Sequence, residues 1–139
     1  MAQPTISGSS RIRRTPYSKR VEQAGVKSYT VYNHMLLATV FETLEYDYCH
    51  LKKAVQVWDV SVERQIEIKG LDATKLLQMT TPRDLSNMKD DQCYYIPMVD
   101  KKGFVINDPV AVKLENNRYW ISIADSDVIY YFKGLAESL

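Results

Sequence analysis

A chain of 139 residues has the length of one ordinary domain, and 45% hydrophobic with 25% charged residues is the balance of a folded globular protein, which excludes wholesale disorder. No run approaches the ~18 apolar residues of a membrane span, and no apolar stretch follows the first charges as in a secretory signal. The net charge of +1 is uneven: residues 1–30 carry +5 through Arg11, Arg13, Arg14, Lys19, Arg20 and Lys27 against Glu22, and the rest carries −4.

Residues 1–10 are small and polar and are expected to form a flexible tail, with 11–139 as the folded part. The basic arm that follows fits either an anionic ligand or a solvated segment. No signature that reads RNA or DNA accompanies it, so nucleic acid is set aside. Thr15-Pro16 reads as the cap and first position of a short helix that stops at Gly25. Residues 26–37 are β-branched and aromatic and predict one extended stretch with His34 inside it. Leu44, Tyr48, Leu51 and Val55 recur at spacings of four, three and four, the face of a helix over 42–54.

Residues 56–69 carry the clearest strand signal. Val62, Arg64, Ile66 and Ile68 alternate with Glu63, Gln65, Glu67 and Lys69. Gly70-Leu71-Asp72 opens a helix with Asp72 as cap, Leu76, Leu77 and Met79 inward, and Pro82 as the end. Residues 83–91 are polar and read as a loop or a short turn of helix. A hairpin follows, over 93–99 and 104–114 around Asp100-Lys101-Lys102-Gly103, then a turn at 115–117 and a third strand over 118–124. Asp125-Ser126-Asp127 caps a last helix through Val128, Phe132 and Leu135. The pattern is α+β, a largely antiparallel sheet with flanking helices.

One residue breaks this pattern. Phe104, Ile106, Asp108, Val110, Val112 and Leu114 fall on one strand face, five apolar residues and a carboxylate. If that face is buried, Asp108 is paired, protonated or aimed at a ligand pocket; otherwise Asn107-Asp108-Pro109 is a bulge whose carboxylate bonds local backbone. Tyr95 on the partner strand stands opposite Asp108 if Asp100 pairs with Gly103, and a one-residue slip puts Ile96 there. Asp59, after Trp58, reads as a turn or cap residue. His34 and His50 lack partners at the spacing of a catalytic triad. Cys49 and Cys93 are too far apart in sequence for a CxxC motif and build neither a disulfide framework nor a zinc site, which makes the cytoplasm the expected compartment and leaves no metal expected.

Val57-Trp58-Asp59-Val60-Ser61, Ile66-Glu67-Ile68-Lys69-Gly70 and Gly103-Phe104-Val105-Ile106-Asn107-Asp108-Pro109-Val110 resemble the glycine-cleavage T-protein (aminomethyltransferase) family. Arg13-Arg14-Thr15-Pro16-Tyr17, Gln92-Cys93-Tyr94-Tyr95 and the block from Tyr119 to Asp127 are similar to its dimethylsulfoniopropionate demethylase branch. Val62-Glu63, Asn107 and Ala124 depart from the aminomethyltransferase pattern and argue against a lipoyl-protein substrate.

The resemblance implies the T-protein-like folate-binding fold and a tetrahydrofolate-dependent methyl transfer from a sulfonium substrate, with tetrahydrofolate as acceptor and no metal. It gives Asp108 the place of the carboxylate beside the folate nitrogen, and Tyr95 that of a pterin-side aromatic. A sulfonium methyl has a good leaving group already, so alignment, exclusion of water and relief of one proton suffice. Aromatic faces hold such a cation for about 0.5–2 kcal/mol each, by analogy with ammonium, and Trp58 and Tyr95 are the residues expected to do so. The alternatives are a glycine-cleavage-type aminomethyltransferase and a non-catalytic folate-binding module. Family members are several times larger, so the chain reads as an N-terminal portion, inactive alone. The remaining ligands are then expected from missing C-terminal domains or from a homo-oligomer.

Overall fold

The computed structural model describes residues 9–139, so residues 1–8 of the expected tail lie outside it. The chain divides into two compact units, 1–62 and 63–139.

In the first unit, α1 (Ser18–Gln23) starts two residues later than Thr15-Pro16 predicts. The Thr15 hydroxyl accepts from the Tyr17 N–H at 3.2 Å but itself donates to Asp59, so Pro16 and Tyr17 form a turn ahead of the helix. Gly25 ends the helix as expected, at φ +85°, a region that costs other residues about 1–2 kcal/mol.

The single extended stretch expected over 26–37 is instead a hairpin of β1 (Ser28–Tyr32) and β2 (Met35–Val40). Asn33 and His34 form its two-residue turn, both at positive φ (48° and 63°), which is the backbone that matches the twist of paired strands. His34 therefore sits at a turn and not within a strand. The missed signal was Asn33, a residue that tolerates the left-handed region.

The helix α2 (Leu44–Lys53) forms where the periodicity places it, with the Thr43 hydroxyl capping the Tyr46 N–H at 3.1 Å. Its apolar face is not buried: Leu44 is 73% and Tyr48 60% exposed.

The second unit holds the core. A four-stranded antiparallel sheet has the order β3 (Gln65–Lys69), β8 (Arg118–Ser122), β7 (Val110–Glu115), β4 (Gln92–Tyr95). The shorter pair β5 (Met98–Val99) and β6 (Val105–Asn107) continues the hairpin beyond it. On the inner face Ile66, Ile68, Ala111, Tyr119 and Ile121 pack with Leu76 and Leu77 of α3 (Ala73–Gln78) and Val128 and Phe132 of α4 (Val128–Ala136).

The strand expected over 56–69 is regular only from Gln65, because Asp59 turns the chain at 59–61; the alternation of faces holds, with Val62, Ile66 and Ile68 buried. Asp72 occupies the N-cap position of α3 without a side-chain cap bond. Met79, expected inward, is half-exposed, since α3 ends at Gln78 and the Thr80 hydroxyl caps the Leu77 carbonyl at 2.8 Å. Every pairing between these strands is antiparallel, in keeping with the α+β class.

Candidate functional site

The hairpin that carries Tyr95 and Asp108 is interrupted on both strands. Between β4 and β5 stand Ile96 and Pro97; between β6 and β7 stand Asp108 and Pro109. Tyr95 pairs with Val110 and Met98 with Asn107, which sets Pro97 across from Asp108. Each proline lacks an N–H and leaves the ladder locally open. The ladder is bridged by the Ile96 N–H, which donates to the Pro109 carbonyl at 2.9 Å.

The expected register, Tyr95 opposite Asp108, is thus displaced by two residues, with an irregularity between Met98 and Val99 taking up part of the difference. A shift of two preserves the face of every side chain. Tyr95 and Asp108 accordingly remain on one side of the hairpin, and the Tyr95 hydroxyl faces the Asp108 Oδ2 at 3.4 Å, a long hydrogen bond. Both side chains are exposed.

The burial sense differs from the expectation. Asp108 shares its face with exposed Phe104 and Val110, whereas Asn107, Pro109 and Ala111 face the core. The carboxylate is therefore open to solvent. Small Ala111 fits against the packed layer, and the larger apolar residues lie on the side this chain leaves open. That outer face continues through Val112 to Trp120 and turns polar at β3, where Gln65, Glu67 and Lys69 are exposed, so the carboxylate and the phenol stand beside an apolar patch on β7 and β8.

Two neighbours brace the pair. The Arg83 guanidinium lies 4.5 Å from the Tyr94 ring centroid and donates to the Tyr95 carbonyl at 3.3 Å, holding the end of β4. Asn107 ties the end of β6 to the segment after β8. Nothing in the sequence singles out Arg83, which lies in a polar loop and meets β4 only in the folded unit.

Trp58, the third expected site residue, belongs to the first unit. It is exposed, and its indole N–H donates to the Gln56 side chain at 3.2 Å. The adjacent Asp59 is the turn residue its sequence position predicts. Its Oδ1 accepts from the Ser61 N–H at 3.0 Å and its Oδ2 from the Thr15 hydroxyl. Burial pushes its pKa up, but the bonds from Thr15 and Ser61 together hold the carboxyl below the usual range.

His34 and His50 both lie in the first unit and are exposed. Among the described residues no cluster of three or more His, Cys, Asp or Glu side chains is arranged to hold a metal, and no helix is long and apolar enough to cross a membrane.

An antiparallel sheet with both helices on one face is the frame on which the carboxylate and the phenol stand, and this fold is shared with a known class, the T-proteins. The family model of the GCVT N-terminal domain matches residues 17–138, and the chain belongs to that family. Aminomethyltransferase T of the glycine cleavage system from Bartonella henselae superposes with a TM-score of 0.65 over 91% of this chain and 35% of its own, at 16% identity, a likeness of fold.

More specifically, the chain is 57% identical to the dimethylsulfoniopropionate demethylase of Ruegeria pomeroyi over 95% of its own length. To the aminomethyltransferase of Staphylococcus haemolyticus it is 25% identical over 83%. The chain spans 36% and 31% of those two proteins, about a third of each.

Proposed function

We propose that the polypeptide carrying this chain moves a methyl group from dimethylsulfoniopropionate to tetrahydrofolate, giving methylmercaptopropionate and 5-methyltetrahydrofolate. The observation that carries this reading is the 57% identity to a protein named for that demethylation, across nearly the whole chain, against 25% to an aminomethyltransferase. The residues at the site fit the chemistry. An exposed aromatic ring and an apolar patch on the sheet suit a flat heterocycle, and a single carboxylate beside them suits a nitrogen that sheds a proton.

Bound tetrahydrofolate supplies the nitrogen that accepts the methyl group. Asp108 takes up the proton released there, and Tyr95 orients its carboxylate through Oδ2 while presenting a ring face to the pterin. Tyr95 offers a face to the sulfonium cation. The remaining ligands come from C-terminal domains of the same protein or from a second copy, since the chain spans about a third of its relatives, and the 139 residues by themselves lack turnover. We place the reaction in the cytoplasm, where exposed unpaired thiols such as Cys49 and Cys93 persist.

The test is a chimera in which this chain replaces the aligned segment of the Ruegeria pomeroyi demethylase. Titration with tetrahydrofolate and an assay of methyl transfer from dimethylsulfoniopropionate should show binding and turnover. Asp108→Asn should lower kcat by about 100-fold or more while folate affinity is largely kept, as for a group that acts on a proton in the transition state. A folded chimera that binds folate but leaves the sulfonium untouched, beside an active parent, overturns the substrate. An Asp108→Asn variant at full rate overturns the role of the carboxylate.

A further inference from the structure

Beside Asp108 stands a buried side chain that the proposed reaction does not use. Asn107 is 5% exposed, and its amide turns toward the segment between β8 and α4. Its Oδ1 accepts from the Ala124 N–H at 3.0 Å. Its Nδ2 donates to the Ala124 carbonyl at 3.2 Å and to the Ser126 Oγ at 2.9 Å. Both amide donors and one lone pair are therefore engaged, and a buried amide so satisfied is held in one orientation.

This matters for Asp108 because neighbouring side chains on extended backbone point to opposite sides. With Asn107 locked inward, Asp108 is directed outward. Asp108 lies outside β6 and β7 and so takes no direction from a strand of its own. On its other side Pro109 keeps Asp108 out of the helical region and so extended, and the Pro109 carbonyl is held by the Ile96 N–H. The carboxylate is thus set by its two neighbours.

We infer that Asn107 is the positioning residue for the Asp108 carboxylate, and that the 124–126 segment is the anchor through which it acts. The inference rests on the reading of Asp108 given above. An amide is specifically required at position 107, since the anchor presents an N–H, a carbonyl and a hydroxyl together. A carboxylate there has no donor for the Ala124 carbonyl and sets a negative oxygen against it. Ser126→Ala removes one of the three bonds from a partly exposed residue and leaves the others.

Asn107→Asp, Ser126→Ala and Asp108→Asn are compared in the chimera by steady-state kinetics. In the 139-residue chain with 13C-labelled aspartate, the Asp108 carboxyl resonance is followed as well. Asn107→Asp is expected to lower kcat by about tenfold or more, with both KM values within about threefold, the pattern of a misdirected catalytic group. Ser126→Ala should give a smaller loss of the same kind, and both should shift or broaden the Asp108 resonance. Should Asn107→Asp fail to fold, Ser126→Ala decides the matter by the same two readouts.

Wild-type kcat with an unmoved Asp108 resonance overturns the positioning role. A loss confined to thermal stability, with kcat per folded molecule and the resonance both unchanged, overturns it too. If Asp108→Asn itself turns over at the wild-type rate, the reading of Asp108 fails instead. The resonance then still reports whether Asn107 directs that carboxylate.

Discussion

Asp59 shows how a carboxylate next to a site motif can serve the fold. Thr15 and Ser61 both donate to it, and their effect outweighs that of burial, so its pKa in the folded chain lies below the value of an unfolded aspartate. A carboxyl of lowered pKa adds stability above the unfolded value, and that contribution disappears as pH falls through the folded value. The first unit should therefore lose stability on acidification below about pH 4. Thermal unfolding followed across that range should show a limb that Asp59→Asn lacks, and coincident profiles for the two proteins would remove Asp59 as its source. At the same scale, Asn107 and Ala124 stand out in the sequence as two separate departures from the aminomethyltransferase pattern. The structure joins them, because the Asn107 amide bonds both backbone groups of Ala124. Asp108 is legible from alternation and from the residues around it. Its support is not, because Ala124 and Ser126 are brought to it from beyond two intervening strands.

Elements differ in how far local sequence determines them. The face of α2 is written at spacings of three and four, and the helix forms, yet none of its residues is buried. Helices of this length draw most of their stability from packing. Its amides should accordingly exchange with solvent faster than those of β7 and β8, and equal protection measured by hydrogen exchange would contradict this. The β1–β2 turn is held by Asn33, which is buried at positive φ and donates from Nδ2 to the Val62 carbonyl at 3.0 Å. Asn33→Ala should cost about 1–3 kcal/mol, from the lost bond and the left-handed backbone together. A denaturant midpoint unchanged in that variant would show the turn to be dispensable. The missed hairpin has the same origin. Strand propensity is continuous across residues 26–37, and two turn residues are enough to reverse the chain.

For the whole molecule, the two units are unequal. The second packs both its helices on one face of its sheet around Leu77, which is 0% exposed. In the first, Val62 is the one buried hydrophobic residue among those described. Leu77→Ala should cost about 2–5 kcal/mol of the stability of the second unit, the range for a leucine whose cavity refills only in part. Calorimetry should place that loss in the main transition, and a loss well under 1 kcal/mol would mean the core collapses around the gap. From sequence alone came the α+β class, the antiparallel strands, the helices near their places, and the placing of Tyr95 and Asp108 on partner strands of one hairpin. These depend on periods of two and of about three and a half, which are local and survive a register shift of two. Only the tertiary structure decided which side of the sheet is covered, where the hairpin opens, and which backbone Asn107 and Arg83 hold. Those outcomes depend on what segments distant in the chain bring to a residue, and periodicity shows that a strand has two faces without showing which one is buried.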